Sequence, residues 1–190
     1  NTGIGFSAGN QITTGVNNTL VGGQTGESIT TGSQNTFVGA RAGDAINTGG
    51  NNVAIGWATL SADTKGDKTV AVGRSALGSQ NFTTATDTYN VAVGYTAGLS
   101  ITTGIFNVLI GGQAGDAITD ADFNVAVGTN TLSTNTLGSQ NVAVGNAALN
   151  AMNPASAADM YNTAVGASAG LSVTTGEGNT LVGGLAGDAL

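Results

Sequence analysis

The chain has 190 residues, of which four are lysine or arginine and eleven are aspartate or glutamate, and its formal net charge is −7. So few cations cannot neutralise a run of phosphates, and the charge balance therefore argues against a nucleic-acid partner. The sequence contains no histidine and no cysteine, which excludes Ser-His-Asp and Cys-His catalytic sites and typical zinc sites. We expect neither an enzyme nor a bound cofactor. No apolar run approaches the roughly 20 residues that span a bilayer, so we expect no membrane insertion by this segment.

A five-residue motif of the type Asn-Val-Ala-Val-Gly recurs along the whole chain. Its copies begin at Asn1, Asn18, Asn35, Asn52, Thr69, Asn90, Asn107, Asn124, Asn141, Asn162 and Asn179. The usual step between copies is 17 residues, and the steps from Thr69 and Asn141 are 21 residues long. Such regular self-similarity is typical of stacked repeat architectures. The sequence predicts a single repeat array over 1–190, a segment of a longer fibre, with four-residue insertion loops within 80–89 and 152–161.

Each copy is expected to begin with a short β-strand, numbered here from the Asn as position 0. Positions 1 and 3 are Thr, Val or Ile in every copy, and position 4 is always Gly. β-Branched residues favour strands, and positions 1 and 3 share one strand face, which we expect to point into the coil. A second short strand is expected at ITTG sequences such as 12–15 and 101–104. The predicted fold is all-β, a parallel β-solenoid or β-roll of about eleven 17-residue coils.

Position 2 lies on the opposite face of the same strand and is never polar. A strand that is apolar on both faces is covered on both faces, and the simplest second cover is an identical chain around a symmetry axis. We therefore expect position 2 to form the interface between chains. The residues assigned to this interface are Leu20, Phe37, Ala54, Ala71, Ala92, Leu109, Ala126, Ala143, Ala164 and Leu181.

Positions 8 and 11 vary together. Where position 8 is Gly, position 11 is a large apolar residue, namely Ile12, Ile29, Ile46, Ile101, Ile118, Val173 or Leu190. Where position 8 is Leu, position 11 is Asp63, Gln80, Asn135 or Met152. This pattern indicates that both positions fill one interior space of constant volume. At position 0, stacked asparagines are expected to hydrogen-bond from coil to coil as well as to form turns.

Aromatic and acidic residues are the candidates for binding. Tyr89, Phe106 and Phe123 precede the Asn in three consecutive coils, where they would form a column about 10 Å long, and Tyr161 returns to this position later. These residues, with Trp57 and Tyr95 at outward position 5, are candidate receptor contacts. The column could equally bury a corner against a neighbouring chain, which is the interpretation we favour.

Two pairs of carboxylates, Glu27 with Asp44 and Asp120 with Asp122, have spacings that could hold calcium. Solvated turn carboxylates are the more ordinary interpretation of such residues, and we predict no metal site.

The NVAVG and NTLVG motifs, followed by Ala-Gly or Ala-Leu, resemble the repeats of YadA-like trimeric autotransporter heads. The longer pattern NTxxGxxAGxxITTGxxN is still more similar to repeats of bacteriophage tail fibres and related bacterial surface proteins. This resemblance covers all 190 residues. It implies a left-handed β-solenoid assembled as a homotrimer, located outside the cell on a virion or a bacterial surface.

The favoured function is therefore a shaft or head of a homotrimeric fibre that attaches to a host glycan or protein receptor. The alternatives are an autotransporter-like adhesin head and, from a different class, an ice-binding solenoid. The latter is suggested by threonine pairs such as Thr13-Thr14 and Thr102-Thr103, but adjacent strand residues point to opposite faces. A polysaccharide-degrading solenoid would need clustered carboxylates on one face, which the sequence supplies only weakly.

Overall fold

The structure, a computed structural model, describes residues 1–189 and is all-β. The chain winds into a parallel β-solenoid of eleven coils, each of about 17 residues, as the sequence predicted. No helix long and apolar enough to cross a membrane is present in residues 1–189. Leu190, the last of the apolar residues expected at position 11, lies outside the described residues.

Eleven three-residue strands form one parallel sheet in which each coil pairs with the next. The register joins equal repeat positions, as in the pairing of Val91 with Val108 and of Val93 with Ile110. Two further sheets contain two strands each, β5 with β7 and β11 with β13. The strands are β1 Thr2–Ile4, β2 Thr19–Val21, β3 Thr36–Val38, β4 Val53–Ile55, β5 Gly66–Asp67, β6 Val70–Val72, β7 Thr86–Asp87, β8 Val91–Val93, β9 Val108–Ile110, β10 Val125–Val127, β11 Gly138–Ser139, β12 Val142–Val144, β13 Ala158–Asp159, β14 Thr163–Val165 and β15 Thr180–Val182.

Position 2 points into the coil, so the expected assignment of the two strand faces is wrong. No accessible surface remains on Leu20, Phe37, Ala54, Ala71, Ala92, Leu109, Ala126, Ala143 and Ala164, and Leu181 in the last coil is partly buried against the same core. The nine fully buried residues therefore have no surface to offer a second chain. Positions 1 and 3 face outward instead. The physical reason is space, because a thin coil takes one inward side chain per strand but would be overfilled by two β-branched ones.

Positions 2, 8 and 11 fill one shared interior, which confirms the predicted compensation and extends it to a third position. A Cβ added to Gly98 would lie 2.8 Å from both Leu109 Cδ1 and Leu77 Cδ2, so the leucines of the neighbouring coils occupy the space above and below this glycine. In the coils with Leu at position 8, position 2 is always Ala, as in Ala126 with Leu132. Large and small side chains thus exchange between these positions, both within one coil and between neighbouring coils.

Glycine at position 4 is required by the close stacking of the coils. Its φ lies between 129° and 145° in all eleven copies, and a Cβ on Gly94 would overlap the carbonyl group of Gly111 in the next coil. The residue at position 6 has a left-handed conformation in every coil, for example Thr96 with φ 51°. A backbone N–H to C=O bond from position 7 to position 4 closes this turn, as between Ala97 and Gly94 at 3.4 Å.

The second strand expected at 12–15 and 101–104 does not form. At 101–104 the N–H groups of Thr102, Thr103 and Gly104 all donate to the carbonyl oxygen of Thr119, at 2.9, 3.3 and 3.3 Å. Three donors that converge on one acceptor make a tight bend rather than the one-to-one ladder of a strand. Short strands form in this part of the coil only where the 21-residue coils pair with their predecessors, at β5 with β7 and at β11 with β13.

The asparagines at position 0 form the predicted hydrogen-bonded ladder inside the coil. The N–H of Asn124 and its side-chain Nδ2 both donate to Oδ1 of Asn107, at 3.0 and 3.2 Å. The Nδ2 of Asn107 donates to the carbonyl oxygen of Ala121 at 2.8 Å. Both asparagines are completely buried. Each side chain thus satisfies backbone groups in two successive coils that would otherwise lack partners.

The ladder changes at Thr69, where a buried polar cluster replaces it. The Nε2 of Gln80 donates to Asp63 Oδ2 at 2.7 Å and to Thr69 Oγ1 at 3.1 Å, and Gln80 Oε1 accepts from Asn90 Nδ2 at 2.9 Å. The extra length of this coil turns Thr88 inward, within 2.7 Å of Thr69 Oγ1. In the other 21-residue coil, the apolar pair Met152 and Met160 is buried in the corresponding space.

Candidate binding surfaces

The outer sheet face consists of positions 1 and 3 of the eleven strands of the main sheet. It contains only Val, Ile and Thr and carries no charge. Its side chains remain partly open to solvent, with Ile55 39%, Ile110 40% and Val142 37% exposed. Ten coil spacings of about 4.8 Å make the face about 48 Å long. An uncharged apolar stripe of this length is unusual on a monomer and indicates an interaction surface.

The column of aromatic residues predicted before position 0 is present. The ring centroids of Tyr89 and Phe106 lie 5.4 Å apart, and those of Phe106 and Phe123 lie 4.9 Å apart, with interplanar angles of 12° and 4°. The rings therefore cover one another's faces and present mainly their edges to solvent. At one end of the column the Lys68 Nζ lies 5.1 Å from the Tyr89 ring centroid and donates to Tyr89 Oη at 3.1 Å.

Lys68 also forms an ion pair with Asp87 Oδ2 at 2.5 Å. The hydrogen bond to Asp87 raises the pKa of Lys68 most, and the hydrogen bond to Tyr89 raises it further. Tyr161 does not join the stack. Its Oη accepts from Gln140 Nε2 at 3.2 Å and donates to Asp159 Oδ2 at 3.2 Å. The side chain is nevertheless well exposed, so Tyr161 remains a candidate contact.

Trp57 and Tyr95 belong to a second stack, which contains a residue that the sequence interpretation missed. Arg74 occupies outward position 5 in the coil between them, with its guanidinium carbon 4.9 Å from the Trp57 ring centroid and 5.6 Å from that of Tyr95. Its Nη1 donates to Tyr95 Oη at 3.0 Å. The repeat alignment alone could have found this residue, because it places Trp57, Arg74 and Tyr95 at the same position of three successive coils.

The carboxylates proposed as calcium ligands have other partners. Glu27 Oε2 accepts from Gln24 Nε2 at 3.1 Å, and Asp44 pairs with Arg41 at 3.0 Å. In the described part of the chain, no three His, Cys, Asp or Glu residues are grouped so that they could hold a metal ion.

The second proposed calcium pair, Asp120 and Asp122, is likewise engaged. Asp120 Oδ1 accepts from Thr103 Oγ1 at 2.5 Å, and Asp122 Oδ1 accepts from the Ile105 N–H at 2.7 Å. Burial raises the pKa of Asp122, and the same cause raises the pKa values of Asp116 and Asp67. Asp120 and Asp122 thus each accept a hydrogen bond from the preceding coil.

Comparison with protein-family models, with curated proteins and with solved structures gave no significant match. The structure thus defines the class of fold, a parallel β-solenoid. The function has to be inferred from the surfaces described above.

Proposed function

We propose that this chain is a shaft or head segment of a homotrimeric fibre of the phage tail-fibre type, which attaches to a host or other surface receptor. The observation that carries the proposal is the outer sheet face, which repeats an uncharged pair of β-branched residues in every coil and remains partly exposed in the single chain. Three identical chains around one axis would cover this face along its whole length.

The energetics favour such a cover. The Val and Ile side chains of the outer sheet face are partly exposed, and further burial of each contributes about 0.5–1 kcal/mol. The contribution accumulates from coil to coil, because the face is continuous through the eleven strands. The absence of charge on the face also avoids the repulsion that like charges would create when identical positions meet around the axis.

The test is the mass of the purified chain by size-exclusion chromatography with light scattering. We expect about three times the chain mass of 18.4 kDa. Val93→Lys, which places a charge in the middle of the outer sheet face, should dissociate the trimer. Ser79→Lys is the matched control, because Ser79 is exposed on another side of the coil, and this variant should remain trimeric. A wild-type chain that is monomeric at all concentrations would disprove the proposal.

The proposed fibre could equally belong to a bacterial surface adhesin of the autotransporter type, since both assemblies use the same architecture. Either setting places the chain outside the cell. The residues proposed to contact the receptor are Tyr89, Phe106, Phe123, Tyr161, Trp57 and Tyr95. Of these, Phe106 has rings stacked on both of its faces and offers mainly its edge, whereas Tyr95 is 55% exposed and can offer a ring face.

Ice binding is the weaker alternative. In three threonine pairs the first hydroxyl donates to a carbonyl oxygen of the next coil, as from Thr13 to Thr30 at 3.0 Å and from Thr102 to Thr119 at 3.2 Å. Hydroxyls engaged in this way cannot use the same proton to order surface water. A measurement of thermal hysteresis checks this alternative, and we expect none.

A further inference from the structure

The stack of Trp57, Arg74 and Tyr95 holds a guanidinium group without an acidic partner. Two of the four cationic residues, Arg41 and Lys68, are ion-paired, whereas Arg74 forms no ion pair with any described residue. The single hydrogen bond of its side chain within residues 1–189 is the one from Nη1 to Tyr95 Oη. The remaining N–H donors of the planar guanidinium are therefore available to a ligand, and the flanking rings hold its plane in place.

The ring of Tyr95 has one face covered and one face open. Because Arg74 in the preceding coil lies over one face, the opposite face is directed towards the following coil. There the same position is occupied by Gly112, where an added Cβ would meet no atom within 4 Å. The next coil provides Thr129 at this position, with its side chain exposed and its hydroxyl forming no hydrogen bond to the described residues.

These residues form what we name the Arg74 notch: Trp57, Arg74 and Tyr95 on one side, Gly112 at the floor and Thr129 on the other side. Tyr95 and Thr129 are two coil spacings apart, or about 9.6 Å. Since non-bonded carbon atoms pack at about 3.5–4 Å, the gap accommodates one six-membered ring lying flat against Tyr95. Hydroxyl groups of such a ring would be within reach of the Thr129 hydroxyl.

The local charge around the notch differs from that of the whole molecule. Glu27, Asp44 and Asp116 occupy position 9 in other coils, but the three coils of the stack have Ser61, Gly78 and Leu99 there. The three coils contain three carboxylates, none of which pairs with Arg74: Asp63 is completely buried in the coil interior, Asp67 accepts from the Gly50 N–H, and Asp87 pairs with Lys68. A protein with a net charge of −7 therefore presents an unneutralised cation on this part of its surface.

We propose that the Arg74 notch binds a saccharide that carries a carboxylate, such as a uronic or sialic acid unit. The sugar ring stacks on the open face of Tyr95 above Gly112, and its carboxylate accepts hydrogen bonds from Arg74. This inference deepens the proposed attachment function by naming the chemical class of the receptor, and in that respect rests on it.

The chain contains an internal comparison. Its coils form blocks of four that repeat after 72 residues, which is the distance between Thr69 and Asn141, where the two 21-residue coils begin. The residues equivalent to Trp57, Arg74 and Tyr95 in the second block are Thr129, Asn146 and Ala167. Neither a cation nor an aromatic ring is present at these positions. The second block should therefore lack the site, which predicts one saccharide per chain rather than two.

The experiment is calorimetric titration of the assembled protein with trigalacturonic acid and with its uncharged methyl ester. Sialyllactose and lactose form a second pair. We expect the acidic sugars to bind about tenfold or more tightly than their neutral counterparts, since charge-assisted hydrogen bonds are the strong ones. Arg74→Gln should abolish this preference, and increasing salt should weaken the binding of the acidic sugars.

Gly112→Leu is the decisive variant, because it fills the notch without a backbone penalty: φ at Gly112 is not in the left-handed region and the space is open. It should weaken binding at least tenfold. Gly23→Leu is the matched control, since an added Cβ there also meets nothing and no arginine precedes it at position 5. This variant should bind as the wild type does.

Unchanged binding by Gly112→Leu, or equal binding of acidic and neutral sugars, would overturn the proposal, as would the absence of binding to all four sugars. Light scattering on the same samples separates this result from the fibre proposal. A trimer that binds no sugar refutes the notch alone. A monomer that binds acidic sugars refutes the fibre and leaves the notch supported.

Discussion

The shared interior of the coil makes a quantitative prediction about Leu109. This side chain is fully buried, and its methyl groups lie over Gly98 and Gly115 in two successive coils. Leu109→Ala should lower the free energy of unfolding by about 3 kcal/mol, as is usual for a leucine whose cavity cannot collapse. Gly115→Leu should also cost about 3 kcal/mol, because φ is 57° and an added Cβ would lie 2.8 Å from both Leu109 Cδ2 and Ile118 Cδ1.

The two substitutions should compensate each other when positions 2, 8 and 11 are changed together to a combination that another coil of this chain uses. Ala143, Leu149 and Met152 show that Ala, Leu and Met fill positions 2, 8 and 11 together. The triple variant L109A/G115L/I118M should therefore lose only about 2 kcal/mol, whereas independent losses of about 3, 3 and 1 kcal/mol, the last for Ile118→Met, would sum to about 7 kcal/mol. Urea unfolding followed by far-ultraviolet circular dichroism measures these values, at one protein concentration because assembly shifts the midpoint.

A triple variant as unstable as the sum of its parts would refute the shared interior. A loss of less than 1 kcal/mol for Leu109→Ala would show that position 2 is not a core position. It would favour the orientation in which positions 1 and 3 point into the coil.

Two further predictions concern buried polar groups. Asn107→Ala should lower the free energy of unfolding by about 3 kcal/mol in the same urea assay, because it leaves the Asn124 N–H and the Ala121 carbonyl without partners. Asn10→Ala, at an exposed asparagine, should change it by less than 0.5 kcal/mol, and equal effects would contradict the role of the ladder. The raised pKa values of Asp67, Asp116 and Asp122 mean that their ionised forms are disfavoured in the folded state. Stability should therefore rise as pH falls from neutral through these folded values and level off below the unfolded value of 3.8. Asp116→Asn should reduce this rise, and stability that falls over the same range would show that the sign is wrong.

The repeat period made the architecture predictable, because equal spacing can be satisfied only if every coil adopts the same cross-section. The orientation of the strand was not predictable from residue type, since Val91, Ala92 and Val93 are all apolar and either face could be inward. The informative signal was volume. Ala at position 2 accompanies Leu at position 8, and only side chains that share a space compensate in this way.

The second expected strand was wrong for a different reason. The threonines of Thr102-Thr103 have the β-branched character of a strand, but strand pairing also needs one acceptor for each donor, and Thr119 provides a single carbonyl for three N–H groups. Such convergence depends on the path of the neighbouring coil, which local sequence does not encode. Trp57 and Tyr95 were predicted as candidate contacts, whereas the importance of Arg74 depends on the two aromatic rings that flank it in the neighbouring coils.

The direction of the hydrogen bonds has a mechanical consequence. Successive coils are joined by bonds that run parallel to the stacking axis, as from Val91 N–H to the Asn107 carbonyl and from Gly98 N–H to the Ala114 carbonyl. Tension along that axis loads all the bonds of one interface at the same time, so two coils separate only when these bonds break together. A sideways pull on one chain end loads them in sequence instead. The coil stack should therefore resist stretching far better than peeling.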